Sequence, residues 1–276
     1  MGIKRIGGGM AVNQITEGVI WEQLLLFFFP ILMGTFFQQL YNTADAMIVG
    51  RFVGKEALSA VSGSAGMLTQ MIVGFFVGLS AGCGVIISQY YGAKRPEMVG
   101  YAVHTSVAFS LLSGAFIMII GIILAPRMLG AMSTPEDIMD LSILYLRIYF
   151  LGMIPNLLYN TGSSILRAVG DSRRPLYFLI VSCMTNIVLD LLFVVILRLG
   201  VRGAGIATVC SQILSALLVL SCLCRSSDMY RVHLTRIGID TRMLRRMIRI
   251  GLPAGLQSVM YGLSNVIIQA GINSLG

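Results

Sequence analysis

Two carboxylates lie deep inside apolar segments of this 276-residue chain: of its twelve acidic residues, only Asp45 and Asp190 sit within such segments away from the ends. An ionisable side chain at that depth is costly and marks a functional site by default. Each has polar neighbours at helical spacing. Gln38, Asn42 and Asp45 stand at i, i+4, i+7, and Ser182, Asn186 and Asp190 at i, i+4, i+8. Thr208, Gln212 and Ser215 repeat the pattern near the end of the chain. Such spacing puts each trio on one helix face. Three polar stripes in an apolar bundle must face one another or a wet cavity. Two carboxylates with neutral oxygens from Asn186 and Thr208 suit a proton or a small hard cation such as sodium, held by Asp45, Asn186, Asp190 and Thr208. The residues form no catalytic constellation and no phosphate-binding glycine loop. They indicate neither an enzyme nor an ATP-driven pump, and no cofactor is expected.

The elements that must position these residues are membrane helices. Hydrophobic residues make up 56% of the chain and charged ones 12%, about half the charged share of a soluble domain; mean hydropathy is +0.84. Apolar runs occur at roughly Leu24–Gly50, Ala60–Tyr90, Ala102–Ala125, Leu141–Leu166, Leu176–Leu197, Gly203–Cys224 and Ile250–Leu275. Each is long enough to cross a hydrocarbon core about 30 Å thick. All are expected to be helical, because lipid offers the backbone no hydrogen-bond partner. Lys4 and Arg5 are followed by glycines and polar residues, unlike a cleaved signal peptide.

The net charge of +8 falls in the connections between apolar runs, which points to a lipid bilayer and not to nucleic acid. With the N-terminus in the cytoplasm, the basic residues favour the inside by roughly three to one. A multi-pass protein of a bacterial-type inner membrane is expected. Asp45, Asp190 and Thr208 then lie about two helical turns from Arg51, Arg198 and Arg202 respectively, counting 1.5 Å per residue. This depth predicts a polar pocket between the first, fifth and sixth helices in the outer half of the membrane, with Tyr145 of the fourth helix at the same level. Pro30, about four turns below Asp45, weakens the first helix and makes it the candidate moving part.

Other features read as packing. Gly66, Gly74, Gly78 and Gly82 make a small-residue stripe for close helix contact. The five cysteines lie in or beside apolar runs without a metal motif, Arg147 is an intramembrane charge, and His104 and His233 look isolated. Arg242, Arg245, Arg246 and Arg249 share one face of a segment whose other face is Met243, Leu244, Met247 and Ile248. That pattern predicts an interfacial helix on an anionic leaflet.

"FFFPILMGTFFQQLYN" (27–42) and "IGLPAGLQSVMYGLSN" (250–265) match in the offsets of proline and final asparagine. Internal duplication is frequent in transporters. The expected organisation is a six-helix lobe over residues 1–224, a linker with the amphipathic helix over 225–249, and over 250–276 the first helix of a second, truncated copy.

Four stretches resemble the multidrug and toxic compound extrusion (MATE) transporters: Phe29–Val61, Tyr145–Leu176, "TNIVLDLLFVV" from Thr185, and "GVRGAGIATVCSQ" from Gly200. The placing of Asp45, Asn186 and Asp190 is similar to the DNA-damage-inducible-protein-F-like branch. The resemblance implies an all-α polytopic membrane protein: one six-helix transmembrane bundle of a twelve-helix, two-lobe transporter, plus a seventh transmembrane helix. It implies a monomer when full length, exporting cationic small molecules against inward proton or sodium flow. It implies a coupling-ion site at Asp45, Asn186, Asp190, Thr208 and Tyr145, and a bending point at Pro30. Gln38, Asn42 and Gln212 are the expected supporting polar residues. Two other readings stay open. One is a lipid-linked oligosaccharide flippase of the same superfamily, disfavoured by acidic intramembrane charges; the other is a non-transporting membrane fragment.

Overall fold

The computed structural model describes the backbone of residues 20–274. Lys4, Arg5 and Leu275 lie outside the described residues, as do the side chains of Asn265 and its successors, so the asparagine match of the repeat is beyond view. The described chain is all helical. In order it forms α1 (Ile20–Phe52), α2 (Lys55–Ser62), α3 (Ser64–Gly92), α4 (Pro96–Ala131), α5 (Glu136–Leu151) and α6 (Met153–Ala168). Then come α7 (Arg173–Asp190), one π-helical segment (Leu191–Ile196), α8 (Val201–Arg225), a 3-10 turn (Leu234–Arg236) and α9 (Thr241–Ser274). Five of the resulting spans are long and apolar enough to cross a membrane, and six when α5 and α6 are taken as one.

Three spans are interrupted where the sequence suggested continuous helices. The second breaks at Gly63, where an ideal Cβ would lie 2.4 Å from the Ser59 carbonyl oxygen. Only a glycine fits that bend. The fourth bends by 50° at Gly152, between α5 and α6. The fifth widens from α to π immediately after Asp190; π turns inside helices are rare and concentrate at functional sites.

Two apolar cores stack along the bundle. One gathers Ile87, Val103, Ile165, Val219, Leu223 and Met247 toward the face with the arginine-rich linker. The other gathers Val49, Leu129, Leu146, Phe150, Val194 and Val201 toward the opposite face. Burial of such side chains, at roughly 25 cal/mol per Å² of apolar surface, holds the helices at their inner faces.

The glycine stripe of α3 is the docking seam for α9. Ideal Cβ atoms on Gly78 and Gly82 would lie 2.4 Å and 2.5 Å from the backbone nitrogens of Gly255 and Gly251. Small residues on both partners let the backbones touch. The start of α9 is tied down as well. Asp240 Oδ1 accepts the Met243 N–H at 2.9 Å, capping the helix. The Asp240 N–H donates to Thr105 Oγ1 at 3.0 Å, and Arg246 donates to the Tyr90 hydroxyl.

Here the structure differs from the expected linker helix. Arg242, Arg245, Arg246 and Arg249 are exposed and Met243 and Met247 buried, so the two faces exist. The backbone shows no break at 249/250, and α9 runs on through Pro253. The amphipathic stretch is therefore the first part of one longer helix. Gly, Ser and Gln dilute the apolar residues in the part of α9 up to Ser264, the last whose side chain is described.

Arg147 also differs from expectation. It is exposed on α5, and its Nε donates to the Ile122 carbonyl at 3.3 Å. Pro126, four residues on, has no N–H to give that carbonyl. Arg147 replaces the missing helix bond. Nor are the two histidines isolated: the rings of His104 and His233 stack, with centroids 6.2 Å apart and planes at 6°.

Candidate cation site

α1 reaches the pocket through its last turns. Its contacts run mainly along α7, so most of its length is uncovered. Where α2, α7, the π segment and α8 come closest, α1 buries Asp45 and Val49, at 6% and 0% exposure. Pro30 is buried lower down. α7 brings Ser182, Asn186 and Asp190, all buried on one face. The Ser182 hydroxyl donates to the Ser211 carbonyl on α8 at 2.7 Å. The Ser211 hydroxyl in turn donates to the Thr208 carbonyl at 2.8 Å. The first of these bonds ties α7 to α8 about two turns below Asp190.

The carboxyl groups of Asp45 and Asp190 are immediate neighbours. Asn186 and Asp190 are fully buried and Thr208 is 2% exposed. Among the described residues, no group hydrogen-bonds Asp45 Oδ1, either Asp190 oxygen, either Asn186 side-chain polar atom, Thr208 Oγ1 or Gln212 Oε1. Buried polar atoms without partners are uncommon, and each carries a desolvation penalty of about 1–3 kcal/mol. Several in one pocket favour a bound cation or proton that the whole set can share.

The donor set fits a hard ion. Carboxylate, amide and hydroxyl oxygens suit sodium or a proton. Among the described residues there is no group of three or more His, Cys, Asp or Glu that could hold a transition metal.

Aromatic hydroxyls close the pocket. Tyr145, 5% exposed, stands beside both carboxylates and beside Tyr149, whose ring centroid is 6.1 Å away. Tyr41 lies against Asp45, Thr208 and Ser211, and Tyr149 against Gln212 and Asp45. Gln212 is seated by the bend in the fourth span: an ideal Cβ on Gly152 would come within 2.1 Å of its Oε1.

Of the supporting stripe, Gln212 joins the pocket, but Gln38 and Asn42 are exposed. Asn42 instead donates to Gln39 Oε1 at 3.4 Å. The reason is rotational. At about 100° per residue, Asn42 sits some 60° to one side of Asp45 and Tyr41 some 40° to the other. α8 covers the Tyr41 side. Gln38 lies under Asp45 but two turns lower, where α1 is open.

The MatE family model matches residues 30–192, taking in α1 through the start of the π segment. The chain belongs to the MATE family. A probable multidrug resistance protein of Bacillus subtilis, YoeA, is 33% identical over 276 residues, covering 97% of this chain and 59% of YoeA. An outward-facing multidrug resistance MATE transporter structure superposes with a TM-score of 0.83 at 28% identity, over 96% of this chain and 60% of that one. An inward-facing MATE structure gives 0.75 at 29% identity, over 82% and 51%. The chain therefore spans about 59% of the length of YoeA.

In this MATE chain Asp45, Asp190 and Tyr145 are neighbours, Tyr41 joins Asp45 to Thr208, and Asn186 is one turn from Asp190; four features that single-residue reading passed over lie beside them: Tyr41, Tyr149, Gly152 and the π turn. The tyrosines carried a signal. Tyr41 precedes Asp45 by four residues, and Tyr145 and Tyr149 are also four apart, so each pair shares a face. The π turn and the Gly152 bend depend on tertiary packing and left no comparable mark.

Proposed function

We propose that this MATE chain carries the ion-coupling half of a secondary transporter that exports organic cations in exchange for protons or sodium ions. One observation carries the reading: polar atoms of Asp45, Asn186, Asp190, Thr208 and Gln212 are buried on α1, α7 and α8 without a hydrogen-bond partner among the described residues. The names of its relatives as multidrug resistance proteins and transporters support it.

In this proposal the ion binds between Asp45 and Asp190, with Asn186, Thr208 and Tyr145 completing the site. Binding neutralises two carboxylates that otherwise repel. That changes how closely α1 packs on α7 and α8, and Pro30 gives α1 its point of bending. Gln38 and Asn42, on the uncovered part of α1, would meet the cationic cargo, so one helix carries polar groups for both ion and cargo. The N-terminus is placed in the cytoplasm of a bacterial-type inner membrane. Residues 1–224 form one lobe, and α9 leads into a second.

A flippase for anionic lipid-linked sugars is disfavoured. Such cargo needs buried cations beside the site, and Arg147 faces outward and serves a proline-freed carbonyl.

The test is transport in proteoliposomes loaded with a fluorescent lipophilic cation, with proton and sodium gradients imposed separately. One gradient is expected to drive efflux and Asp190→Asn to abolish it. Gradient-driven efflux that Asp190→Asn leaves unchanged would refute the proposal.

A further inference from the structure

The second titratable cluster of the molecule lies at the opposite end of the bundle, on the arginine-rich face. His104, in the third turn of α4, and His233, in the linker, are 129 positions apart in sequence. Two hydrogen bonds define the state of the His104 ring. Its Nδ1 is 2.7 Å from the Gly100 carbonyl oxygen. A carbonyl only accepts, so Nδ1 carries the hydrogen. Its Nε2 is 3.1 Å from the His233 backbone nitrogen. That N–H only donates, so Nε2 presents its lone pair. Both contacts are satisfied by the neutral Nδ1–H tautomer alone. A second proton on Nε2 would point at another donor.

The bond holds a definite piece of chain. Tyr230 and Val232, each 2% exposed, bury the first half of the linker in the core. The Asp240 N–H, bonded to Thr105, anchors its far end. Between these anchors, His233 to Ile239 arches over a cavity of about 900 Å³. The arch is mostly exposed, and the His104 bond ties down its near end.

The charged and titratable groups facing the ring pair across the cavity are Glu97 and Tyr101 from α4, and Asp228, Arg231, Arg236 and Asp240 from the linker. Arg231 is partly committed, since its Nε donates to the Cys224 carbonyl at 3.1 Å. Partial desolvation, then the neighbouring charges of Arg231 and Arg236 and the His104 ring, push the His233 imidazole below its ordinary value.

We propose that His104 is a proton-operated latch on the linker: a proton taken up at Nε2 ejects the His233 N–H and frees the arch that leads into α9. The sign follows from the geometry. The latch is closed while His104 is neutral, and opens when a proton reaches Nε2 and removes the lone pair that accepts the His233 N–H. Acidification on this face would loosen the connection between α8 and α9, while the Thr105–Asp240 bond and the glycine seam keep α9 docked. The inference is independent of the coupling-ion reading, because the latch and the carboxylate pocket share no residue.

The experiment is hydrogen–deuterium exchange of the whole chain in lipid nanodiscs, following the peptide over 232–239 from pH 8 to pH 5 and corrected for intrinsic exchange. In the wild type, protection of this peptide should fall about five- to tenfold on acidification, the value of one hydrogen bond. His104→Gln keeps a donor and an acceptor that do not titrate, and should show no pH dependence. His233→Ala keeps the backbone N–H and should respond like the wild type. A flat wild-type profile overturns the proposal, as does a His104→Gln profile as steep as the wild type. A measurement without any variant guards against misfolding: carbon shifts of labelled histidine at pH 8 should report the Nδ1–H form for His104, and the Nε2–H form would overturn the latch.

Discussion

Substituting Gly78 tests how the last helix is held. An ideal Cβ there would lie 2.4 Å from the Gly255 nitrogen and 2.7 Å from the Ala254 carbonyl carbon, where ordinary contact starts near 3.4 Å. No side chain can rotate away, because the obstacles are backbone. Gly78→Ala must therefore push α3 and α9 apart by about 1 Å at this level. A gap of 0.5–1 Å forfeits a quarter to a half of the dispersion energy between facing atoms, and overpacking of this kind costs roughly 1–3 kcal/mol.

A crosslink makes the separation measurable. The ideal Cβ of Gly74 lies 3.5 Å from the Ser258 Cβ, one turn along the seam, within the roughly 3.5–4.5 Å that disulfides span. In a background lacking the native cysteines, Gly74→Cys with Ser258→Cys should oxidise readily in the membrane. Adding Gly78→Ala should slow the reaction at least fivefold, and Gly78→Leu should abolish it. Equal crosslinking rates with and without the Gly78 substitutions would refute backbone contact along the seam.

Three further outcomes are expected. Asp45→Asn should weaken sodium or proton binding by ten- to a hundredfold in isotope or calorimetric titration; a carboxylate about 4 Å from a monovalent ion contributes up to roughly 4 kcal/mol at an effective dielectric near 20, part of it offset by desolvation. Gly152→Ala should shift thermal unfolding little, because the closest atom it meets is the tip of Gln212 and the Tyr149 carbonyl oxygen, at 3.2 Å, need give by only a few tenths of an ångström, yet it should lower ion affinity by displacing the Gln212 side chain; in a Gln212→Ala background it should have no further effect on affinity. Arg147→Met should lose about 1 kcal/mol of stability by orphaning the Ile122 carbonyl, and should be neutral alongside Pro126→Ala, which restores the helix bond.

What the sequence determined by itself follows from solvent and periodicity. Runs of apolar residues longer than a bilayer is thick can only be helices. A carboxylate inside such a run needs partners, so spacing at i, i+4 named Asn186 beside Asp190 and the count of turns matched their depth to Asp45 and Thr208. Those inferences need only one helix at a time, and the structure brings the four residues together.

Tertiary structure decided whatever depends on which side of a helix is covered. Asp45 and Asn42 looked equivalent on one stripe, but α8 packs on the Tyr41 side of α1, so the tyrosine entered the pocket and Asn42 stayed outside. Arg147 read only as an intramembrane charge until α5 was set beside the carbonyl that Pro126 leaves free. His104 and His233 were 129 residues apart and unrelated until the linker folded back over α4. The glycines of α3 signalled a close contact without saying with what, and the partner proved to be α9. In each case periodicity gives a residue's direction from its own helix axis, whereas the neighbour it meets is set by the long-range packing of the other helices.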